Sequence, residues 1–156
     1  AVDEPDRVGR DRLADAAAAA AHYPLPCMTV DLGTATTYNV LSAEGCFLGG
    51  FIVPGVQTSL RAISAGTAQL PPIAPEPPEH LVGRNTVEAL NNGAMFGTAA
   101  MLDGLADRVE AELGQPLTVV ATGGLAPYIM PCCKRKILYD GDLLFKGLAL
   151  IWEKNR

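Results

Sequence analysis

Residues 30–37, VDLGTATT, place a β-branched residue, a carboxylate and a Gly-Thr turn in a row, so a strand that arrives there has to stop and turn sharply. The apolar approach from Met28 to Val30 supplies a buried strand, Asp31 stands at its end, and Gly33 lets backbone amides come close to an anion. Thr34, Thr36 and Thr37 add hydroxyl donors. A carboxylate beside such a turn repels phosphate, so its expected partner is a cation or a metal-bound water. The other reading of the octet is a strand followed by a polar hairpin turn, because DxGT is short and common.

The rest of the chain bounds what that strand can belong to. At 156 residues, 49% hydrophobic and 19% charged, the chain suffices for one compact domain with a core. Seventeen acidic against 12 basic residues, a net charge of −5, argue against a nucleic-acid or anionic-membrane surface. The one basic cluster, Lys134-Arg135-Lys136, reads as a solvated helix end. No apolar run approaches the ~20 residues of a membrane span and no signal-peptide pattern opens the chain, so a cytoplasmic location is expected. Cys27, Cys46, Cys132 and Cys133 lack CxxC spacing and read as reduced, structural thiols. Ala1 in place of methionine suggests a cut or processed N-terminus, with residues 1–8 as a tail and 9–156 as a single lobe.

Residues 9–23, rich in alanine and followed by Pro24, predict a helix. Runs at 28–32, 36–41 and 46–53 predict an antiparallel meander, and 56–65 a short helix with Leu60 and Ile63 turned inward. The proline-dense residues 70–80 predict an extended loop. Residues 86–113 form the longest periodic stretch, with Leu90, Ala94, Gly97, Met101, Leu105 and Val109 at helical spacing, a kink at Asn91-Asn92-Gly93, and Gly114 as the stop. Its Asp103, Asp107, Glu110 and Glu112 read as a wet face. A second buried strand at 117–121 ends in Thr122-Gly123-Gly124; a helix from Ala126 is shortened by Pro131; and a last helix, 143–152, presents Leu144, Leu148 and Ile151, with Trp152 as a packing residue. This order predicts an α/β lobe with a mixed sheet flanked by helices, as in a ribonuclease H-like nucleotide-binding fold. Two buried strands that both end in glycine turns could then grip one nucleotide; the alternative for TGG is a helix-entry turn.

Seven ordered segments carry a family resemblance: GRDRLADAAAA, VDLGTATT, GGFIVPG, GTAQLP, VGRNTVEAL, ATGGLA and residues 143–148. Together they resemble the C-terminal part of the type III pantothenate kinases, the Bvg accessory factor-like family of the actin-like ATPase superfamily. The resemblance implies ATP-dependent phosphorylation of pantothenate to 4'-phosphopantothenate, the first step of coenzyme A biosynthesis, with Mg2+. By matching position it implies Asp11 as the general base, with Gly9, Arg10, Arg12 and Thr86 at the substrate. It further implies Asp31 as ligand of a monovalent cation (K+ or NH4+), and Gly33, Thr34, Thr122, Gly123 and Gly124 at ATP. Arg12 suits the carboxylate of pantothenate. Read from the residues alone, Asp11 and Thr86 could instead be helix caps.

The resemblance also implies a homodimer, for which the helix from Thr86, with Gly93, Ala94, Gly97 and Ala99, is the expected surface. The family's earlier lobe, with its own Asp-x-Gly-Asn-Thr turn, has no counterpart before Gly9. The chain therefore reads as a fragment, or as one subunit of a split kinase whose second chain supplies that lobe. Arg10, Asp15 and Asn39 stand where the family has alanine, asparagine and aspartate, which alters charge around the substrate and cation. The competing functions are a noncatalytic partner or regulatory module of the same fold, and a kinase for another small alcohol.

Overall fold

Three strand-forming runs joined by short turns fold back on one another as β1 (Cys27–Leu32), β2 (Ala35–Leu41) and β3 (Phe47–Pro54), an antiparallel meander. The structure, a computed structural model, describes residues 2–156. β4 (Thr118–Thr122) pairs parallel with β1, and the two-residue β5 (Leu138–Tyr139) parallel with β4, so the sheet order is β3-β2-β1-β4-β5. Five helices accompany it: α1 (Arg10–His22), α2 (Val56–Gly66), α3 (Thr86–Leu113), α4 (Ala126–Ile129) and α5 (Leu143–Lys154). This is the mixed α/β sheet with flanking helices expected from the sequence.

Side chains alternate across a strand, and β1 uses both sides. Met28, Val30 and Leu32 enter a core with Met95, Ala99, Leu102, Ala106 and Val109 of α3. On the other face Cys27 packs with Ala16, Ala18 and Ala19 of α1 and Leu143 of α5. Small side chains let α1 and α5 lie close, and at their crossing a Cβ on Gly147 would collide with the Ala14 carbonyl.

Several faces differ from the sequence reading. α3 runs unbroken through Asn91-Asn92-Gly93, and both asparagines are buried because they clamp the proline-rich segment. Asn91 exchanges two hydrogen bonds with the Glu76 backbone, at 3.0 and 2.9 Å, and Asn92 donates to the His80 and Leu81 carbonyls. The buried stripe of α3 is consequently offset from the one expected: Met101 is 41% exposed, while Ala99 lies in the core rather than on a surface. Ile63 is exposed on α2, and only Leu60 turns fully inward.

The carboxylates of α3 are not simply wet. Asp103 accepts from the backbone amides of Lys134 and Arg135, and Arg135 pairs with Asp107 and Glu110, at 2.5 and 2.7 Å, so the basic triplet is latched to the helix. On α5 the buried positions are Leu143 and Gly147; Leu148 and Ile151 are exposed, and Trp152 is 70% exposed, because Gly147 turns the helix onto α1 by its smallest side. All four cysteines are free, and no helix among the described residues is long and apolar enough to cross a membrane.

The α1–α5 crossing gives a direct test. Gly147→Ala should lower stability by about 2 kcal/mol or more, an overpacking cost, because the added methyl must push backbone rather than a flexible side chain. Urea unfolding of the variant beside the wild type measures it; an unchanged midpoint would mean that the helices are not in this contact.

Candidate functional site

Parallel pairing sets Asp31 beside Thr122, so the turns that follow β1 and β4 leave the sheet at the same edge, the carboxyl ends of both strands. Gly123 there has φ of 96°, and a Cβ on it would stand 2.7 Å from the Leu32 carbonyl oxygen and 2.9 Å from Asp31 Oδ1. Only glycine suits that position. Gly124, by contrast, is exposed and a Cβ on it would meet nothing.

The first turn is braced from the other side. Gly33 N–H donates to the Ala35 carbonyl at 3.3 Å, while Gly55 N–H and the Thr58 hydroxyl both donate to the Thr34 carbonyl, at 3.0 and 2.9 Å. A Cβ on Gly55 would strike the Gly33 and Thr34 carbonyls. The Thr34 side chain stays exposed and Thr122 is buried. Gly55 and Thr58 were not singled out from the sequence; the Pro54-Gly55 break is the signal that could have found Gly55.

α1 descends onto the same edge. Asp11 and Asp15 lie four residues apart, so they stack on one side of the helix, and Asp31 projects from β1 to the α1 face of the sheet. Asp15 is 1% exposed and its Oδ1 has no hydrogen-bond partner. Burial, then the charge of Asp31, then that of Asp11, push its carboxyl up to about 7. Asp31 is likewise held above the usual carboxylate range, by burial first and by Asp11 second. Asp11 is exposed in the first turn of α1, where Gly9 is the N-cap residue and no side chain caps the helix. Its carboxylate is therefore not engaged in capping.

The other expected site residues divide. Arg12 donates through Nε to Asn39 Oδ1 at 2.7 Å and through Nη2 to the Tyr38 carbonyl at 3.4 Å, and its guanidinium lies 5.6 Å from the Phe47 ring centroid. Asn39 in turn donates to Thr29 Oγ1 at 3.0 Å, so Arg12 is tied to β2. Arg10 is exposed at the start of α1. Thr86 opens α3 on the opposite face of the sheet and is not a cap: Asn85 accepts from the Glu88 amide at 2.9 Å, and Glu88 accepts from the Arg84 amide at 2.7 Å. The structure thus gathers Asp11, Asp15, Asp31 and the two glycine turns, and leaves Thr86 apart.

An orphaned buried oxygen beside a half-buried carboxylate is a donor set that fits a cation, with Asp31 and Asp15 as the groups that would hold it. Among the described residues no three His, Cys, Asp or Glu side chains converge on one ligating point, so water would complete the ion's shell.

Asp15 also makes stability depend on pH. Its carboxyl rises from 3.8 to about 7 on folding, so it favours the fold fully below about pH 4, and that contribution is lost as pH rises through about 7. In chelator-containing buffer, Asp15→Asn should match the wild type near pH 4 and exceed its stability at about pH 8, by at most about 4 kcal/mol. Denaturant titrations at the two pH values check this; a variant less stable at both would contradict it.

Comparison with known proteins places this geometry. The family model for type III pantothenate kinase matches residues 1–108. Curated relatives named type III pantothenate kinase include those of Hyphomonas neptunium, 42% identical over 155 residues, and Rhodococcus opacus, 43% identical over 159. Each alignment covers 99% of this chain, but only 61% and 59% of the relative, so the chain spans about three fifths of their length. Among solved structures, a Baf family protein from Campylobacter jejuni, described as a transcriptional activator, superposes with a TM-score of 0.66 at 24% identity, covering 97% of this chain and 66% of its own. The activator of 2-hydroxyisocaproyl-CoA dehydratase from Clostridium difficile, solved with bound ADPNP, superposes at 0.58 with 13% identity, covering 93% of this chain and 66% of its own. These structural matches show that the chain shares their fold. With the family model covering most of its length, the chain belongs to the type III pantothenate kinase family.

Proposed function

We propose that this chain is the C-terminal portion of an enzyme that transfers the γ-phosphate of ATP to the primary hydroxyl of pantothenate. The observation that carries the reading is the carboxylate of Asp11, left uncapped above the edge where Asp31 and both glycine turns meet. Phosphoryl transfer asks a protein mainly for positioning and charge stabilisation, with a carboxylate aimed at the incoming hydroxyl. Asp11 takes that proton. Gly9, Arg10 and Arg12 surround the substrate, Gly33 and Thr34 face the phosphates, and Thr122, Gly123 and Gly124 face the nucleoside. Asp31 would hold the monovalent cation that the family resemblance implies, and Mg2+ bound with ATP would offset the charge of its phosphates. The remainder of the ATP cradle comes from a segment outside these 156 residues, on the same polypeptide or on a second chain.

Thr86 stands on the opposite face from Asp11, so its contact with pantothenate is expected from α3 of a second copy. In support, Gly93 and Gly97 lie on the exposed side of α3, a Cβ on either meets nothing within the chain, and Val87 and Met101 are exposed on the same helix. Gly97→Trp should convert a dimer to monomer in sedimentation without changing the circular dichroism of the fold.

The catalytic reading is tested by transfer of labelled γ-phosphate from ATP to pantothenate with Mg2+, comparing K+ with Na+, for the chain alone and for the chain supplied with the Asp-x-Gly-Asn-Thr lobe. Asp11→Asn should lower kcat at least ~100-fold with little change in the KM for ATP. Absence of transfer in both arrangements would sink the kinase reading.

A further inference from the structure

The half-buried guanidinium of Arg12 is held by neutral groups alone. Nε donates to Asn39 Oδ1 at 2.7 Å, Nη2 donates to the Tyr38 carbonyl at 3.4 Å, and the Phe47 ring centroid lies 5.6 Å away. Among the described residues no carboxylate forms an ion pair with it, and Nη1 makes no hydrogen bond. Gly50 on β3 makes room for this arrangement: a Cβ there would strike the Tyr38 carbonyl and stand 2.9 Å from Nη2. Arg12 is therefore fixed in place with its charge uncompensated and one nitrogen free.

Asn39 is the informative partner. It is fully buried in β2, and a buried amide costs stability unless both of its ends are bonded. Both are: Oδ1 accepts from Arg12, and Nδ2 donates to Thr29 Oγ1 at 3.0 Å, on the residue directly opposite in β1. A guanidinium carries donors only, so the carbonyl end of the amide has to face Arg12. The relay from Thr29 through Asn39 to Arg12 is thus anchored in two strands whose register the core sets. An unrestrained arginine samples many rotamers, and freezing it at the moment of binding subtracts from affinity. Here the ordering is done in advance.

We propose that Asn39 is a positioning residue for substrate recognition: by holding Nε it aims the free Nη1 edge of Arg12 at the carboxylate of pantothenate. This rests on the kinase reading above and deepens it. Asp11 and Arg12 are consecutive, so their side chains leave α1 about 100° apart and can meet the two ends of one extended substrate, Asp11 the hydroxyl and Arg12 the carboxylate. Asn39 touches neither end and acts through Arg12.

The test follows the Arg12 Nε–Hε resonance by NMR in the 156-residue chain, alone and supplied with the Asp-x-Gly-Asn-Thr lobe. The probes are pantothenate, its alcohol analogue pantothenol, which lacks the carboxylate, and ATP. In the wild type the resonance should be resolved and protected from exchange, and it should shift with pantothenate and not with pantothenol. Asn39→Ala should lose the protection and weaken pantothenate on the order of tenfold, the loss of a prearranged charge-assisted contact, with pantothenol unchanged. Asn39→Asp keeps an acceptor facing Nε and should restore both. Thr29→Val, nearly isosteric, releases only the far end of the relay and should show the same losses in smaller measure; a cooperative unfolding transition verifies that each variant folds. Equal loss of pantothenate and pantothenol, an Arg12 resonance unaffected by Asn39→Ala, no shift with pantothenate in either arrangement, or a shift with ATP alone would each overturn the proposal. Phosphate transfer is scored separately: transfer that continues with an unchanged KM for pantothenate in Asn39→Ala defeats the positioning role and leaves the kinase reading, while a carboxylate-dependent shift without transfer does the reverse.

Discussion

β1 is hydrogen-bonded along both edges, antiparallel to β2 and parallel to β4, and covered on both faces, by α3 on one side and α1 on the other. A strand enclosed on four sides has no freedom of register, because a one-residue slip would exchange Met28, Val30 and Leu32 with Thr29 and Asp31. That exchange would drive a carboxylate into the α3 core. The position of Asp31 is therefore fixed by hydrophobic burial several residues away, and everything at the site is referenced to it. The parallel partner carries Thr122 and Gly123 to its side; the antiparallel partner carries the Gly33–Thr34 turn.

The glycines around this point act through excluded volume rather than flexibility. Gly123 touches the Leu32 carbonyl and Asp31 from one side, and Gly55 touches the Gly33 and Thr34 carbonyls from the other. The turn after β1 is thus held between two backbone segments that come from distant parts of the sequence. A preorganised turn of this kind needs no rearrangement to meet a ligand, which is what a reaction that depends on positioning requires.

Local sequence signals were sufficient where local chemistry decides. Gly114 ends α3 in a left-handed conformation with φ of 66°, Pro131 limits α4 to four residues followed by a short 3-10 turn, and the meander follows from strand runs and turn residues. The octet 30–37 is legible for the same reason. What was not legible depends on partners. α3 has no strongly one-sided apolar stripe, so spacing could not say which side faces the sheet, and two asparagines occupy the inward side because they clamp a loop. α5 has a stronger apolar stripe, yet it docks through Gly147, a close approach that no hydropathy pattern encodes. The acidic side of α3 resembled a solvated face until Arg135, 25 residues beyond Glu110, came to rest on it.

Asp15 joins these points. Its spacing of four from Asp11 was visible, but the cost of its charge was not, because that cost arises first from burial under the alanines that seal α1 against the sheet and then from Asp31 on a different element. An alanine-rich helix packs close, and close packing removes the water that would otherwise hydrate a carboxylate. The same property that lets α1 present Asp11 at the strand ends therefore strands Asp15 beneath it. Two solutions satisfy the physics: the carboxyl keeps a proton, or the site keeps a cation. In the proposed reaction the second is the more useful, since a fixed positive charge beside Asp31 would reduce the repulsion that the carboxylates otherwise exert on an approaching phosphate, leaving the two glycine turns free to receive it.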